Sequence, residues 1–394
     1  MNILQLCLRV PFPPREGGSM AMKSLTDGLQ AHGHKVDILA LNTTKHYVSE
    51  KQLAPWKENY SIKTFDIDNK IKVHQALVNL LFSKESFHIS RFYSEEICRQ
   101  WQGIVEEGTY DAIIFESLFM APYIQDLRKK TSVPMVLRSH NVESRIWERV
   151  LENETNVFKS WYLAKQLKRL KKYEQDKSSV FDLVASISPL DMEYYQSKSA
   201  AVIHTPFGIG VEEKRKANSS SPFVIGFIGS LDWKPNQQGL EWFMANVWPQ
   251  LNSENLRLRV AGKNMPIEWK DRKEKGVEFL GEVEDSKSFM RASDVLVVPL
   301  HAGSGIRIKI LEAMSLGVPV LTTTIGLEGI KARPNNEVLI ANQVKDFVQE
   351  IKELQHNPEK LERVGNGGYD LVANNYSTKS AVRELSTWLE NNNS

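Results

Sequence analysis

The chain has 394 residues, enough for roughly two or three domains at about 150 residues each. Apolar residues make up 41% and charged residues 25%, a globular composition that excludes a disordered chain. Lys plus Arg (50) against Asp plus Glu (48) leaves a net charge of +2, which argues against a dedicated nucleic-acid binder. Two cysteines, Cys7 and Cys98, cannot build a disulfide framework or a zinc site. No apolar run approaches the ~18 residues of a spanning helix. The apolar start meets Pro11, Pro13 and Pro14 without a basic region before it, so no secretory signal is expected and the location predicted is cytoplasmic.

Short β-branched runs alternate with helical patterns. Strands are predicted at Asn2–Cys7, Lys35–Leu41, Ala112–Phe115, Pro134–Arg138, Leu183–Ile187 and Val202–Thr205, and again at Phe223–Ile228, Leu256–Ala261, Gly276–Leu280, Val295–Pro299 and Val318–Thr322. Tyr47–Phe92 reads as one strand with an irregular or helical insertion. Continuous apolarity in the strands implies cover on both faces, and helices between them imply parallel βαβ units. The expected class is α/β, with two doubly wound, Rossmann-like domains. A Gly-, Ser- and Asn-bearing stretch, Pro206–Pro222, has linker composition and divides 1–205 from 206–375, and the remaining residues, 376–394, carry most of a final amphipathic helix expected over Asn375–Glu390. Ligands of such sheets bind beyond the carboxyl ends of the strands, here in a cleft expected between the domains.

The most informative segment is Ala292–Gly329, where a strand runs into Gly303, Ser304 and Gly305 and then a helix. Small residues at a helix entrance leave backbone N–H groups uncovered, and the helix dipole favours an anion there. Gly305, Ile308, Lys309 and Glu312 fall at i, i+3, i+4 and i+7 and are expected on one helix face. The span from Gly305 to Glu312 is about 10 Å at ~1.5 Å per residue, comparable to the reach from a diphosphate to its ribose. Glu312 is then a candidate ribose clamp, with Arg307 and Lys309 offsetting phosphate charge. A surface helix with Lys309 and Glu312 facing water is the alternative.

The segment GSGIRIKILEAMSLGVPV resembles the signature of retaining, GT-B-fold glycosyltransferases of family 4 (group 1). That family usually carries a Glu-x7-Glu pair, of which this chain has Glu312 and, at the first position, Ser304. The resemblance implies that backbone amides around Ser304, Gly305, Ile306 and Arg307 hold the leaving phosphates. FIGSLDW with Pro235 and Asn236 is similar to the first strand and loop of the family's donor domain, which places Gly229 there. Ser230 stands at a position often occupied by Arg, and Lys234 lies one residue short of a common Lys, so the cationic work falls mainly to Arg307 and Lys309. Ala261-Gly262-Lys263 and Phe279-Leu280-Gly281 match two further loops.

In the first half, Gly17 and Gly18 open a helix that resembles the family's first βα unit, which borders donor phosphate and acceptor. His140 follows a buried strand at the place of the family's histidine near the donor sugar, and Glu116 and Arg145 are weaker candidates. The resemblance also implies that the final helix crosses back to the first domain. Lys159–Lys177 is basic and amphipathic, which suits either an anionic membrane surface or a solvated helix packing its aromatic side. Asp66-Ile67-Asp68 is an unspecific Asp-x-Asp, and no dinucleotide fingerprint is complete.

The reading implied is a metal-independent glycosyltransferase moving a sugar, with retention, from a nucleotide diphosphate sugar to a glycan or lipid-linked acceptor. Its setting would be polysaccharide biosynthesis at the inner membrane surface, with no cofactor and no nucleic acid. A nucleotide-sugar 2-epimerase and a non-catalytic sugar-nucleotide-binding subunit stay open beside it.

Overall fold

The computed structural model describes residues 1–83, 85–152, 154–199, 201–215, 222–251, 255–303 and 305–393. Ser304 and most of the polar half of the expected linker lie outside the described residues. The chain forms two compact units, Met1–Gly208 with Ala381–Ser394, and Ile209–Ser380.

The first unit contains β1 (Asn2–Cys7), β2 (Lys35–Thr43), β3 (Ser61–Ile67), β4 (Ala112–Glu116), β5 (Met135–Ser139), β6 (Leu183–Ser186) and β7 (Val202–His204). They pair in parallel in the order β3-β2-β1-β4-β5-β6-β7. Successive side chains go to opposite faces. Leu4, Leu6, Ile113 and Phe115 enter one core with Trp101, and Ile3, Ile38, Ile114 and Val136 enter the other with Leu25 and Leu29. Two-sided burial explains the unbroken apolar runs. The strand hidden in Tyr47–Phe92 is β3, an edge strand half open to solvent.

The C-terminal segment is not the single helix Asn375–Glu390 expected from periodicity. A short helix, Thr378–Ala381, is followed by a second, Arg383–Asn391. Val382, Leu385 and Leu389 are buried in the core that holds Ile3 and Ile38, and the His34 Nε2–Ser386 Oγ pair (2.6 Å) adds a polar tie.

The second unit contains β8 (Phe223–Ile228), β9 (Leu256–Ala261), β10 (Val277–Gly281), β11 (Val295–Val298), β12 (Val320–Thr322) and β13 (Leu339–Ile340). Its parallel order is β10-β9-β8-β11-β12-β13. Ile225, Phe227, Leu258, Val260, Val295 and Val297 build one core with Phe243 and Phe347. In each unit the strand order reverses once, between β1 and β4 and between β8 and β11. Such switch points open a crevice at the carboxyl ends of the strands, where ligands of doubly wound sheets bind.

Candidate active site

At the switch point of the second unit, β8 ends in Ile228 and the chain turns at Gly229. A Cβ there would stand 2.7 Å from both Asn236 Nδ2 and Lys309 Nζ, so only glycine lets the two polar groups close over the strand end. Gly262, after β9, is equally constrained, because a Cβ would run into the Gly229 carbonyl. Asn236 Nδ2 donates to the Ser230 carbonyl (2.8 Å) and fixes the loop.

On the other side of the switch point, the loop after β11 passes Gly303 (φ 111°) and Gly305 (φ 86°), both in the left-handed region that favours glycine. The helix that follows is Ile308–Ser315, with Arg307 at its N-cap. This corrects the expectation that Gly305 shares a helix face with Ile308, Lys309 and Glu312. Gly305 precedes the helix, because its positive φ cannot belong to a right-handed turn. Ser304 lies outside the described residues. Ile306 packs towards Gly329, where an added Cβ would come within 2.8 Å of its Cγ1. The Arg307 guanidinium is buried, donates to the Gly305 carbonyl and lies 5.5 Å from the Trp233 ring centre.

Lys309 is half-buried rather than on an open surface. Its Nζ donates to the Ile228 carbonyl (2.9 Å) and to Asn236 Oδ1 (2.8 Å), and it sits 5.2 Å from the Phe227 ring centre. Both oxygens are uncharged, so nothing repays the full cost of burying an ammonium. Burial, reinforced by Arg307, pushes its pKa down to about 7. One turn on, Glu312 is largely buried, and burial raises its carboxyl above the ordinary value despite the pull of Lys287. Lys234 is exposed at the first position of the helix Lys234–Trp242. The second unit therefore gathers Gly229, Gly303, Gly305, Arg307 and Lys309 at the switch point, with Asn236 and Trp233, which the motif contains, as members to which the sequence assigned no role.

The first unit has its own polar knot. Gln5, Glu116 and Arg138 lie on the same sheet face of three adjacent strands, β1, β4 and β5, against the helix Gly17–Ala31. Glu116 is fully buried; its Oε2 pairs with His140 Nε2 at 2.5 Å and its Oε1 accepts from Gln5 Nε2 at 2.7 Å. Arg138 Nη1 stands 3.7 Å from Glu116 Oε1 and donates to the Ala21 carbonyl (3.1 Å). Thr26 Oγ1 donates to Gln5 Oε1 at 2.6 Å. Burial pushes the Glu116 carboxyl up, but Arg138, His140 and Gln5 together outweigh it and hold it below its ordinary value. An ionised Glu116 accepting from Nε2 fixes the imidazole's orientation and leaves Nδ1 as its other polar atom.

Gly17 begins the helix Gly17–Ala31, and Gly18 packs beside Arg9, which pairs with Glu16 at 2.9 Å. Arg145 reaches Asp191 (3.6 Å) and the Leu190 carbonyl rather than the Glu116 knot. Asp66 is taken by Asn42 (2.9 Å) and Asp68 by Lys72 (2.9 Å). Among the described residues no group of three His, Cys, Asp or Glu is placed to hold a metal ion.

Residues 222–357 match the family model for group 1 glycosyl transferases. Over 400 aligned residues the chain is 23% identical to an uncharacterized 44.6 kDa protein in the cps region of Klebsiella pneumoniae, covering 98% of each. The fold is similar to that of the sucrose-phosphate synthase of Thermosynechococcus elongatus, with a TM-score of 0.65, 14% identity and 99% of each chain covered. It is equally similar to Anabaena HepE solved in complex with UDP, with a TM-score of 0.65, 13% identity, and 99% of this chain and 100% of that one covered. Two parallel doubly wound sheets with these neighbours are the GT-B fold, and the match to the group 1 glycosyl transferase model falls within the second unit.

Proposed function

We propose that this chain is a retaining glycosyltransferase of the family 4 type, which takes a sugar from a nucleoside diphosphate donor and passes it to an acceptor hydroxyl. The observation that carries the reading is the polar cluster at the β8/β11 switch point. There a half-buried Lys309, Arg307 at the N-cap position and two left-handed glycines surround a strand end that a Cβ at Gly229 would close. Leaving-group departure places negative charge on the diphosphate. Preorganised N–H donors and cations stabilise that charge more in the transition state than in the ground state, which is the catalytic requirement.

In this reading the amides of residues 304–307 and the Arg307 and Lys309 side chains hold the diphosphate, and Gly303 and Gly305 give the backbone its close approach. Lys234 adds an exposed cation at the start of its helix. Glu312 accepts the ribose hydroxyl protons. His140, oriented by Glu116, supplies a hydrogen bond to the donor sugar, and Gly17 and Gly18 border the acceptor. Because Arg307 and Lys309 already bring positive charge, the mechanism does not call for a divalent metal. The cps-region relative supports an acceptor in polysaccharide assembly, and no described helix is long and apolar enough to cross a membrane.

A thermal-shift screen across UDP-, GDP- and ADP-sugars tests the reading. The expected result is saturable stabilisation by the sugars of one base, with turnover that Lys309→Met removes. No stabilisation by any of them would contradict it. Interconversion of the donor without transfer would favour the 2-epimerase, and binding without any turnover would favour the non-catalytic subunit.

A further inference from the structure

The first unit exposes an apolar surface that its own cores do not use. On the helix Val73–Phe82, Leu81 is 72% and Phe82 83% exposed. On the long helix Val157–Ser178, Phe158 is 86% and Trp161 59% exposed, with Val157 beside them. Isolated exposed apolar residues are ordinary, but a concentration of large ones on neighbouring helices marks a contact surface.

The two helices are tied together. Arg169 donates from Nη1 to the Asn79 carbonyl (3.1 Å) and from Nη2 to the Leu80 carbonyl (2.9 Å), and Gln166 Nε2 donates to Asn79 Oδ1 (3.2 Å). Arg169 thus occupies the last carbonyls of the helix Val73–Phe82, immediately before Leu81 and Phe82. On the other flank, Lys171 pairs with Glu148 of the helix Glu143–Glu152, which also exposes Ile146 and Val150. At about 100° per residue, Trp161, Lys165, Lys168 and Lys172 fall between these two flanks, on the crest of the long helix. All four are exposed.

The charge on this crest is one-sided. Residues 157–173 hold Lys159, Lys165, Lys168, Arg169, Lys171 and Lys172 and no Asp or Glu, in a chain whose net charge is only +2. Lys159 and Lys171 are paired with Glu154 and Glu148, and Lys165 lies 5.4 Å from the Trp161 ring centre. Lysine is depleted in protein–protein interfaces, whereas apolar side chains bordered by lysines on one helix face match the acyl and headgroup layers of an anionic bilayer.

We propose that the surface formed by Leu81, Phe82, Phe158 and Trp161 with Lys165, Lys168 and Lys172 docks the protein peripherally on an anionic lipid bilayer. The aromatic and aliphatic groups enter the interface, and the lysines meet lipid phosphates. The inference is independent of the catalytic reading, since it uses no residue assigned to nucleotide or sugar.

The test is flotation of the full chain with vesicles of phosphatidylcholine alone or with about one-third phosphatidylglycerol, at low and high salt. Binding to the phosphatidylglycerol vesicles that weakens with salt is expected, with little on phosphatidylcholine. Each lysine near an anionic surface contributes about a fivefold change, so Lys165→Glu, Lys168→Glu and Lys172→Glu together should weaken binding by about a hundredfold or more. Phe158→Ser with Phe82→Ser should also release the protein. These positions are exposed, so circular dichroism and thermal midpoint should stay unchanged. Failure of the folded chain to float with phosphatidylglycerol, or flotation indifferent to both sets of substitutions, would overturn the proposal. So would light scattering that shows a dimer dissociated by Phe158→Ser, because the surface would then serve a second copy.

Discussion

Lys309 makes nucleotide affinity depend on pH in a direction the structure dictates. With its pKa held at about 7, about half of the empty protein carries the ammonium at pH 7. The groups facing Nζ are the Ile228 carbonyl, Asn236 Oδ1 and the face of Phe227, with Arg307 as the neighbouring charge, so nothing anionic holds the proton until a ligand arrives. A diphosphate bound there pulls the pKa up, and binding takes up a proton. Between pH 7 and pH 9 the charged fraction of the empty site falls about 50-fold, so affinity should weaken by up to about 50-fold, about 2.3 kcal/mol. Isothermal titration of the preferred nucleoside diphosphate in buffers of different ionisation enthalpy reads both quantities. Uptake should be about half a proton at pH 7 and close to one at pH 9. Lys309→Met should bind weakly with no pH dependence across the window. The sign for stability is the opposite one. The unfolded chain binds the extra proton between pH 7 and 10.5, so the ligand-free fold gains stability as pH rises through that range. Affinity flat from pH 7 to pH 9, with no proton uptake by the folded protein, would refute the placement of the diphosphate at Lys309.

Glu312→Ala should weaken nucleotide binding on the order of 1.5–3 kcal/mol, the worth of hydrogen bonds to a charged acceptor, and unchanged affinity in titration would remove Glu312 from the ribose. Glu116→Leu leaves Arg138 buried without its counter-charge and should cost about 3–5 kcal/mol in urea unfolding. In Glu116→Gln the Glu116 contribution to acid unfolding should disappear, because a carboxyl held below 4.5 in the fold adds stability that is lost as pH falls through its folded value. Deleting Ala381–Ser394 uncovers the core around Val382, Leu385 and Leu389, each worth about 1.5–3 kcal/mol when buried, so calorimetry should show a lower unfolding temperature for the first unit. Turnover should survive exhaustive chelation, and its loss with restoration by manganese would return attention to Asp66 and Asp68.

The strands covered on both faces were legible because continuous β-branched runs have few other uses. Phe223–Ile228, for example, ends where apolarity ends, at Gly229. Two of the edge strands, β3 and β13, were harder to read. β3 carries exposed Lys63 and Asp66 on its two faces because an edge strand is only partly covered on either, and β13 is two residues long, below any periodic signal. Glycine marked the loop after β11, yet helix periodicity ran back too far, since it cannot register the positive φ of Gly305. Side-chain partners were the least accessible. Asn236 meets Lys309 across 73 positions, and Gln5 and Arg138 look like ordinary members of apolar strands until three strands bring them to Glu116. The low pKa of Lys309 follows from burial against uncharged oxygens, which only the fold supplies.

The most direct measurement of the central claim follows the anomeric proton by NMR while the protein turns over its preferred nucleotide sugar, with water as a slow acceptor. The sugar first released should keep the donor's anomeric configuration, and release should stop in Lys309→Met. First release of the inverted anomer, or unchanged release by Lys309→Met, would contradict that claim.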